Sequence, residues 1–220
     1  MPHAVIVPDE YYHIFNRAIN KQIMFLDKVD HARMLCLLIL AQSSDPLDNV
    51  GRRSHSFLKN GSLNLSKHGF ENILKNRVAE LAAFVIMPNH FHIIVKELVE
   101  GGISLYLQKI EIAYTKYFNT KYHRSGYLFQ GSYQSVHVED NDQLLHLSAY
   151  IHRNSRELKG WRNKEHLYQW SSFFDLVQGN RWGELLKHEI LSEQFKNPKE
   201  YFDFVKTSGT KELEGELLID

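Results

Sequence analysis

Apolar and polar positions alternate most clearly at Tyr11 to Arg17 (YYHIFNR), where aromatic or β-branched residues interleave with polar ones at the period of a half-buried strand. The period lengthens after Asp27, which can cap a helix whose apolar positions Ala32, Leu35, Leu38 and Ile39 recur at helical spacing toward Ala41. From Gln42 to about Lys75 the pattern fades, Ser, Asn, Gly and Lys accumulate and Pro46 intervenes, so a long loop or insertion is predicted. Two apolar runs, Val78 to Met87 and His90 to Val95, then flank Pro88-Asn89; these two residues suit adjacent central turn positions, and an antiparallel hairpin follows. Gly101 and Gly102 precede an amphipathic helix over Ile103 to Tyr122, with Leu105, Ile110, Tyr114, Tyr117 and Phe118 apolar and Ser125-Gly126 ending it. A strand over Tyr133 to Val138 comes next, then a helix capped by Asp140 or Asn141. That helix runs to about Glu157 with Leu144, Leu145, Leu147 and Ile151 on its apolar stripe. The segment from Trp170 to Phe174 reads as packing, and the acidic residues from Thr207 onward read as a frayed end.

Strands and helices mixed in this order predict an α+β fold, an antiparallel sheet with helices packed on it. The expected organisation is one domain over 1–180 with a loop insertion at about 42–75, followed by a helical or tail extension over 181–220. No apolar run approaches the roughly 18 residues of a membrane span and no signal-peptide architecture is present, so a cytoplasmic protein without membrane attachment is expected. The single cysteine, Cys36, lies in an apolar run and reads as a small core residue. Basic and acidic residues balance at 26 each, so a nucleic-acid partner would have to be held by local clustering and not by overall charge.

Two short motifs carry candidate chemistry. In His90-Phe91-His92 the period of a strand places both imidazoles on one face and Phe91 on the other. In Tyr150-Ile-His-Arg-Asn154 the helical i, i+4 spacing puts a phenol and an amide on one face, whereas His152 points away. Each motif alone has a bland alternative as core or helix-end residues. Between Ile112 and Val138, moreover, there is no acidic residue. Lys116, Lys121 and Arg124 are instead interleaved with Tyr114, Tyr117, Phe118, Tyr122, Tyr127, Phe129 and Tyr133, a mixture suited to a single nucleic-acid strand unless the aromatics are core.

The stretches YYHIFNRAINKQIMF, FVIMPNHFHIIV, YTKYFNTKYHRSGYLFQGSYQS and LSAYIHRNS occur in one order over most of residues 11 to 155. Together they resemble the single-tyrosine HUH transposases (IS200-like), and within them the REP-associated branch. The resemblance implies a ferredoxin-like (RRM-like) HUH fold. It implies that Tyr150 is the nucleophile and that His90, His92 and Asn154 hold a divalent metal, Mg²⁺ or Mn²⁺. It further implies cleavage and rejoining of single-stranded, hairpin-forming DNA through a 5′-phosphotyrosine. Asn16, Arg17, Lys116, Asn119, Lys121, Arg124 and Arg153 are the candidate DNA contacts, Asn16 and Arg17 being balanced against structural hydrogen bonding. Three matters stay open at this level: whether the protein only binds a strand, whether water replaces the tyrosine as nucleophile, and whether it acts as a monomer or a homodimer.

Overall fold

The computed structural model describes residues 5–208. Four strands, β1 (Tyr11–Arg17), β2 (Ala79–Met87), β3 (His90–Glu97) and β4 (Gln134–His137), form one sheet in the order β2-β3-β1-β4, and every pairing is antiparallel. Eight α-helices accompany them among the described residues: α1 (Lys28–Leu40), α2 (Val50–Asn60), α3 (Lys67–Lys75), α4 (Gly102–Lys121), α5 (Asn141–Arg153), α6 (Ser172–Gln178), α7 (Glu189–Ser192) and α8 (Pro198–Thr207). The α+β class and the hairpin about Pro88-Asn89 are as the pattern predicts. None of these helices is long and apolar enough to cross a membrane.

The strand β1 departs from its half-buried expectation, since Tyr12 through Asn16 are all buried. It is a central strand with both faces covered, so its polar members serve as internal contacts and do not reach solvent. Tyr12, Ile14 and Asn16 take the face covered by α1 and α4, as the bond from Asn16 to Glu111 of α4 shows. His13, Phe15 and Arg17 take the other face, where α5 packs and where their antiparallel neighbours on β3 include His92 and His90.

The loop expected over 42–75 is largely helical, because α2 and α3 occupy most of it. Polar residues dominate both helices, so the apolar period rests on a few positions. Phe57 is buried on α2 against Trp170 and Trp182, and α3 presents only the partly buried Phe70, Ile73 and Leu74. Their ends carry ordinary signals, namely Gly61 in a left-handed conformation after α2 and the Ser66 side chain accepting from Gly69 N before α3.

Buried polar groups fix the elements that carry the site. Asp27 and Asp30 form a reciprocal capping box at the start of α1, and Asp140 caps α5 by accepting from Gln143 N at 2.8 Å. The buried Glu97 carboxylate accepts from Gly102 N at 3.0 Å and Ile103 N at 2.5 Å, holding the positive end of α4 to the end of β3. Gly102 is required there, since a Cβ would fall 2.1 Å from the Val78 carbonyl oxygen. Along the outer edge of β2, Ile86 N donates to Trp170 O, Phe84 N to Ser172 Oγ and Lys187 N to Leu81 O. Leu185, Leu186, Leu191, Tyr201 and Val205 belong to the same hydrophobic core as the sheet, so the elements after residue 180 pack on it directly. The expected frayed end lies, from residue 209, outside the described residues.

Candidate active site

His90 and His92 project from the start of β3 toward α5, with ring centroids 5.1 Å apart and planes at 90°. The Tyr150 ring stands edge-on to His92 from α5, with centroids 5.6 Å apart. Asn154, at the carboxy-terminal end of α5, is buried and lies within reach of the His90 side chain. The phenol, both imidazoles and the amide predicted from two distant motifs therefore meet in one place.

Hydrogen bonding sets the state of His90. Asn89 Nδ2 donates to the Lys21 carbonyl oxygen, which leaves Asn89 Oδ1 to accept from His90 Nδ1 at 2.7 Å. His90 Nε2 consequently keeps its lone pair. Burial lowers His90 to about 4, aided by the Arg17 cation and opposed by the Asn154 contact. Burial likewise holds His92 well below the usual histidine range, with His13, His90 and Arg17 adding to the effect. Both rings are neutral near pH 7, as metal ligation demands.

Two imidazoles and an amide oxygen suit a borderline divalent ion such as Mn²⁺ better than a hard ion that prefers oxygen alone. Among the described residues no group of three or more His, Cys, Asp or Glu side chains could hold a metal, and the polar side chain at hand beside the histidine pair is the Asn154 amide. The donor set fits a divalent cation.

Arg17 lies opposite His90 in the β1–β3 pairing, and its charge acts on both histidines. Its Nε is buried without a hydrogen-bond partner, and no ion pair engages its guanidinium among the described residues. A cation left uncompensated beside neutral rings is an anion-attracting feature. The neighbouring Asn16 is spent internally: its Nδ2 donates to Glu111 Oε1 at 2.7 Å and to Gly131 O, while its Oδ1 accepts from Arg17 N. Adjacent residues of one strand thus divide between two faces, Arg17 with the histidines and Asn16 with α4.

The remaining candidate contacts are not gathered at the histidines. Helix α4 covers the other side of the sheet, and Lys121 there is held at 2.7 Å by both Asp27 and Asp30. Asn119 donates to Gly126 O, Arg124 donates to Tyr127 O, and Lys116 is exposed. Tyr114, Phe118 and Phe129 are core, and the Tyr117 and Tyr122 hydroxyls both donate to Asp30, whereas Tyr127 is 85% exposed. Arg153 donates from Nη1 to the Ser208 carbonyl oxygen.

One further residue at the site escaped the motifs. His13 is fully buried with Nε2 3.0 Å from His92 Nδ1; a histidine inside a strand that reads as half-exposed gives no sign of this. His152 points away from Tyr150 as its helical position requires, and lies between Tyr201 and Ser172.

The comparisons with known proteins bear on this strand order and on the helices packed against it. The family model described as "Transposase IS200 like" matches residues 50–154, a little under half of the chain. A solved REP-associated tyrosine transposase bound to a REP hairpin is similar in fold, with a TM-score of 0.54 at 16% identity over 81% of this chain and 85% of the other. No curated protein sequence matches this chain. The family match begins at Val50, inside the segment expected to be an insertion.

Proposed function

We propose that the protein is a strand transferase that cleaves and rejoins single-stranded DNA at hairpin or repeat sequences through a covalent 5′-phosphotyrosine on Tyr150. The observation that carries the reading is the Tyr150 ring set against His92, itself in contact with His90, on the face of the sheet where Arg17 has a buried Nε with no hydrogen-bond partner among the described residues. The Tyr150 hydroxyl oxygen bonds to phosphorus as the P–O3′ bond breaks. The phenolic proton passes to solvent and the 3′ oxygen leaves as a hydroxyl. Attack by a 3′-hydroxyl on the phosphotyrosine reverses the exchange and joins strands without an external energy source.

His90, His92 and Asn154 would hold a divalent cation, Mg²⁺ or Mn²⁺, which when bound supplies Lewis-acid neutralisation of phosphate charge. Arg17 attracts the non-bridging oxygens and orients the phosphate toward Tyr150. The rival reading as a binding module leaves unexplained why a phenol should face the buried, neutral imidazole of His92. The hairpin carried by the similar solved structure makes a hairpin-forming single strand the first substrate to try.

The deciding experiment incubates the protein with end-labelled hairpin-bearing single strands and Mn²⁺, then looks for a protein–DNA adduct that survives denaturation. The adduct is expected with the natural sequence and absent from Tyr150→Phe. Cleavage that persists in Tyr150→Phe without an adduct would mean that water is the nucleophile.

A further inference from the structure

We infer that His13 is a positioning residue for the candidate metal centre: it accepts a hydrogen bond from His92 Nδ1–H and so fixes the tautomer that leaves His92 Nε2 free to bind a divalent cation. This rests on the reading of His90 and His92 as ligands.

The geometry is direct. His13 Nε2 and His92 Nδ1 are 3.0 Å apart, both side chains are almost completely buried, and the two rings lie nearly parallel at 19° with centroids 5.2 Å apart, as an edge-to-edge hydrogen bond requires. A neutral imidazole carries one proton, so in this pair one nitrogen must donate and the other accept. If His13 donated, His92 would carry its own proton on Nε2, the nitrogen turned away from His13, and no lone pair would remain for a cation. If His92 donates, Nε2 is a ligand. A ring nitrogen that ligates a metal characteristically has its partner nitrogen donating to an acceptor behind it, and such acceptors orient the ring and raise its basicity.

The same arrangement accounts for an oddity of the core. With Nε2 accepting, the proton of neutral His13 sits on Nδ1, and His13 Nδ1 is a buried side-chain nitrogen with no hydrogen-bond partner. An orphaned donor in the centre of a sheet weakens the fold, and its presence is understandable where the opposite nitrogen has work to do. His90 is oriented by a different route, through Asn89 Oδ1 on its Nδ1, so each histidine of the pair has its own acceptor behind it. The Phe15 and Tyr150 rings each contact both members of the His13–His92 pair.

The test uses the full chain, free of DNA. Mn²⁺ affinity is measured by titration with detection of free Mn²⁺ by electron paramagnetic resonance, for the natural sequence, His13→Leu and His13→Gln. Loss of the acceptor in His13→Leu should weaken binding about 10- to 100-fold. His13→Gln, whose side-chain amide oxygen reaches the position of the lost Nε2, should recover most of that loss. Long-range nitrogen–proton correlations of the histidine rings in the natural protein, metal-free at neutral pH, should show His92 protonated on Nδ1; this measurement decides the matter if His13→Leu does not fold. His92 protonated on Nε2, His13→Leu binding Mn²⁺ as tightly as the natural protein, or no Mn²⁺ binding by the natural protein would each overturn the inference. A missing phosphotyrosine adduct alongside Nδ1-protonated His92 and His13-dependent Mn²⁺ binding would defeat the proposed reaction and leave the inference standing.

Discussion

The Tyr201 hydroxyl lies 2.6 Å from His152 Nδ1, joining α8 to α5 two residues beyond the candidate nucleophile. His152 Nε2 meets Ser172 Oγ at 2.7 Å, Ser172 Oγ accepts from Phe84 N, and Tyr201 also donates to Ser148 Oγ at 3.0 Å. A buried chain of hydrogen bonds therefore ties the tyrosine helix to the edge strand and to the carboxy-terminal helix. Tyr201→Phe keeps the ring packed but orphans its polar neighbours. It should cost about 1–3 kcal/mol, read as a lower denaturant midpoint with unchanged slope. An unchanged midpoint would show that the chain contributes nothing to stability.

Arg17 gives a prediction specific to charge. Arg17→Ala should slow adduct formation by roughly 10²–10³, the scale for losing one preorganised donor to a reacting oxyanion. Arg17→Lys should recover part of the rate, since the charge returns without the planar fork. Equal rates for Arg17→Ala and the natural protein on the same labelled strand would remove Arg17 from the site.

Glu111 is pushed up to about 7 by burial, with its hydrogen bond from Asn16 opposing the shift. An acid whose folded value is raised contributes stability that is fully present below its ordinary value near 4.5, and that is lost as pH rises through about 7. Glu111→Gln keeps an oxygen to accept from Asn16 and cannot ionise. The variant should gain on the natural protein by roughly 1–2 kcal/mol between pH 5 and pH 8, after allowance for solvent screening of a partly exposed group. Parallel stability profiles of the two proteins would refute this.

The buried histidines act in the opposite direction. Burial lowers His13 and His152 to about 3 and His90 to about 4, so these rings are neutral in the folded protein while their unfolded counterparts charge near 6.5. Their contribution is present above about pH 6.5 and is lost as pH falls toward 3 to 4. The denaturant midpoint should fall steeply between pH 6 and pH 4. His152→Gln, although less stable at neutral pH, should show a shallower fall; a fall as steep as that of the natural protein would exclude His152 as a source.

Much of this was legible because two periods name two faces. His90 and His92 share a face at the strand period, Tyr150 and Asn154 share one at the helical period, and the chain brings those faces together. The helices α2 and α3 were hidden since each buries so little that no apolar stripe stands out, and Phe57 needs Trp170 and Trp182, more than a hundred residues away, to become a core residue. His13 was hidden for a similar reason: only the β1–β3 pairing, which places it beside His92, distinguishes it from an ordinary polar strand position. The acid-free window overstated its case, because carboxylates outside it, Asp27 and Asp30, reach in to neutralise Lys121.

The sealed outer margin of β2 bears on how copies of the molecule meet. Its backbone groups are taken up by Trp170, Ser172 and Lys187, so an extended segment from elsewhere finds no ladder to join there. The opposite margin is β4, only four residues long, which offers a poor template for stacking one sheet on the next. A chain with so apolar a hairpin as Ala79–Val95 is in this way protected from self-templated aggregation by architecture, with no need for a large net charge.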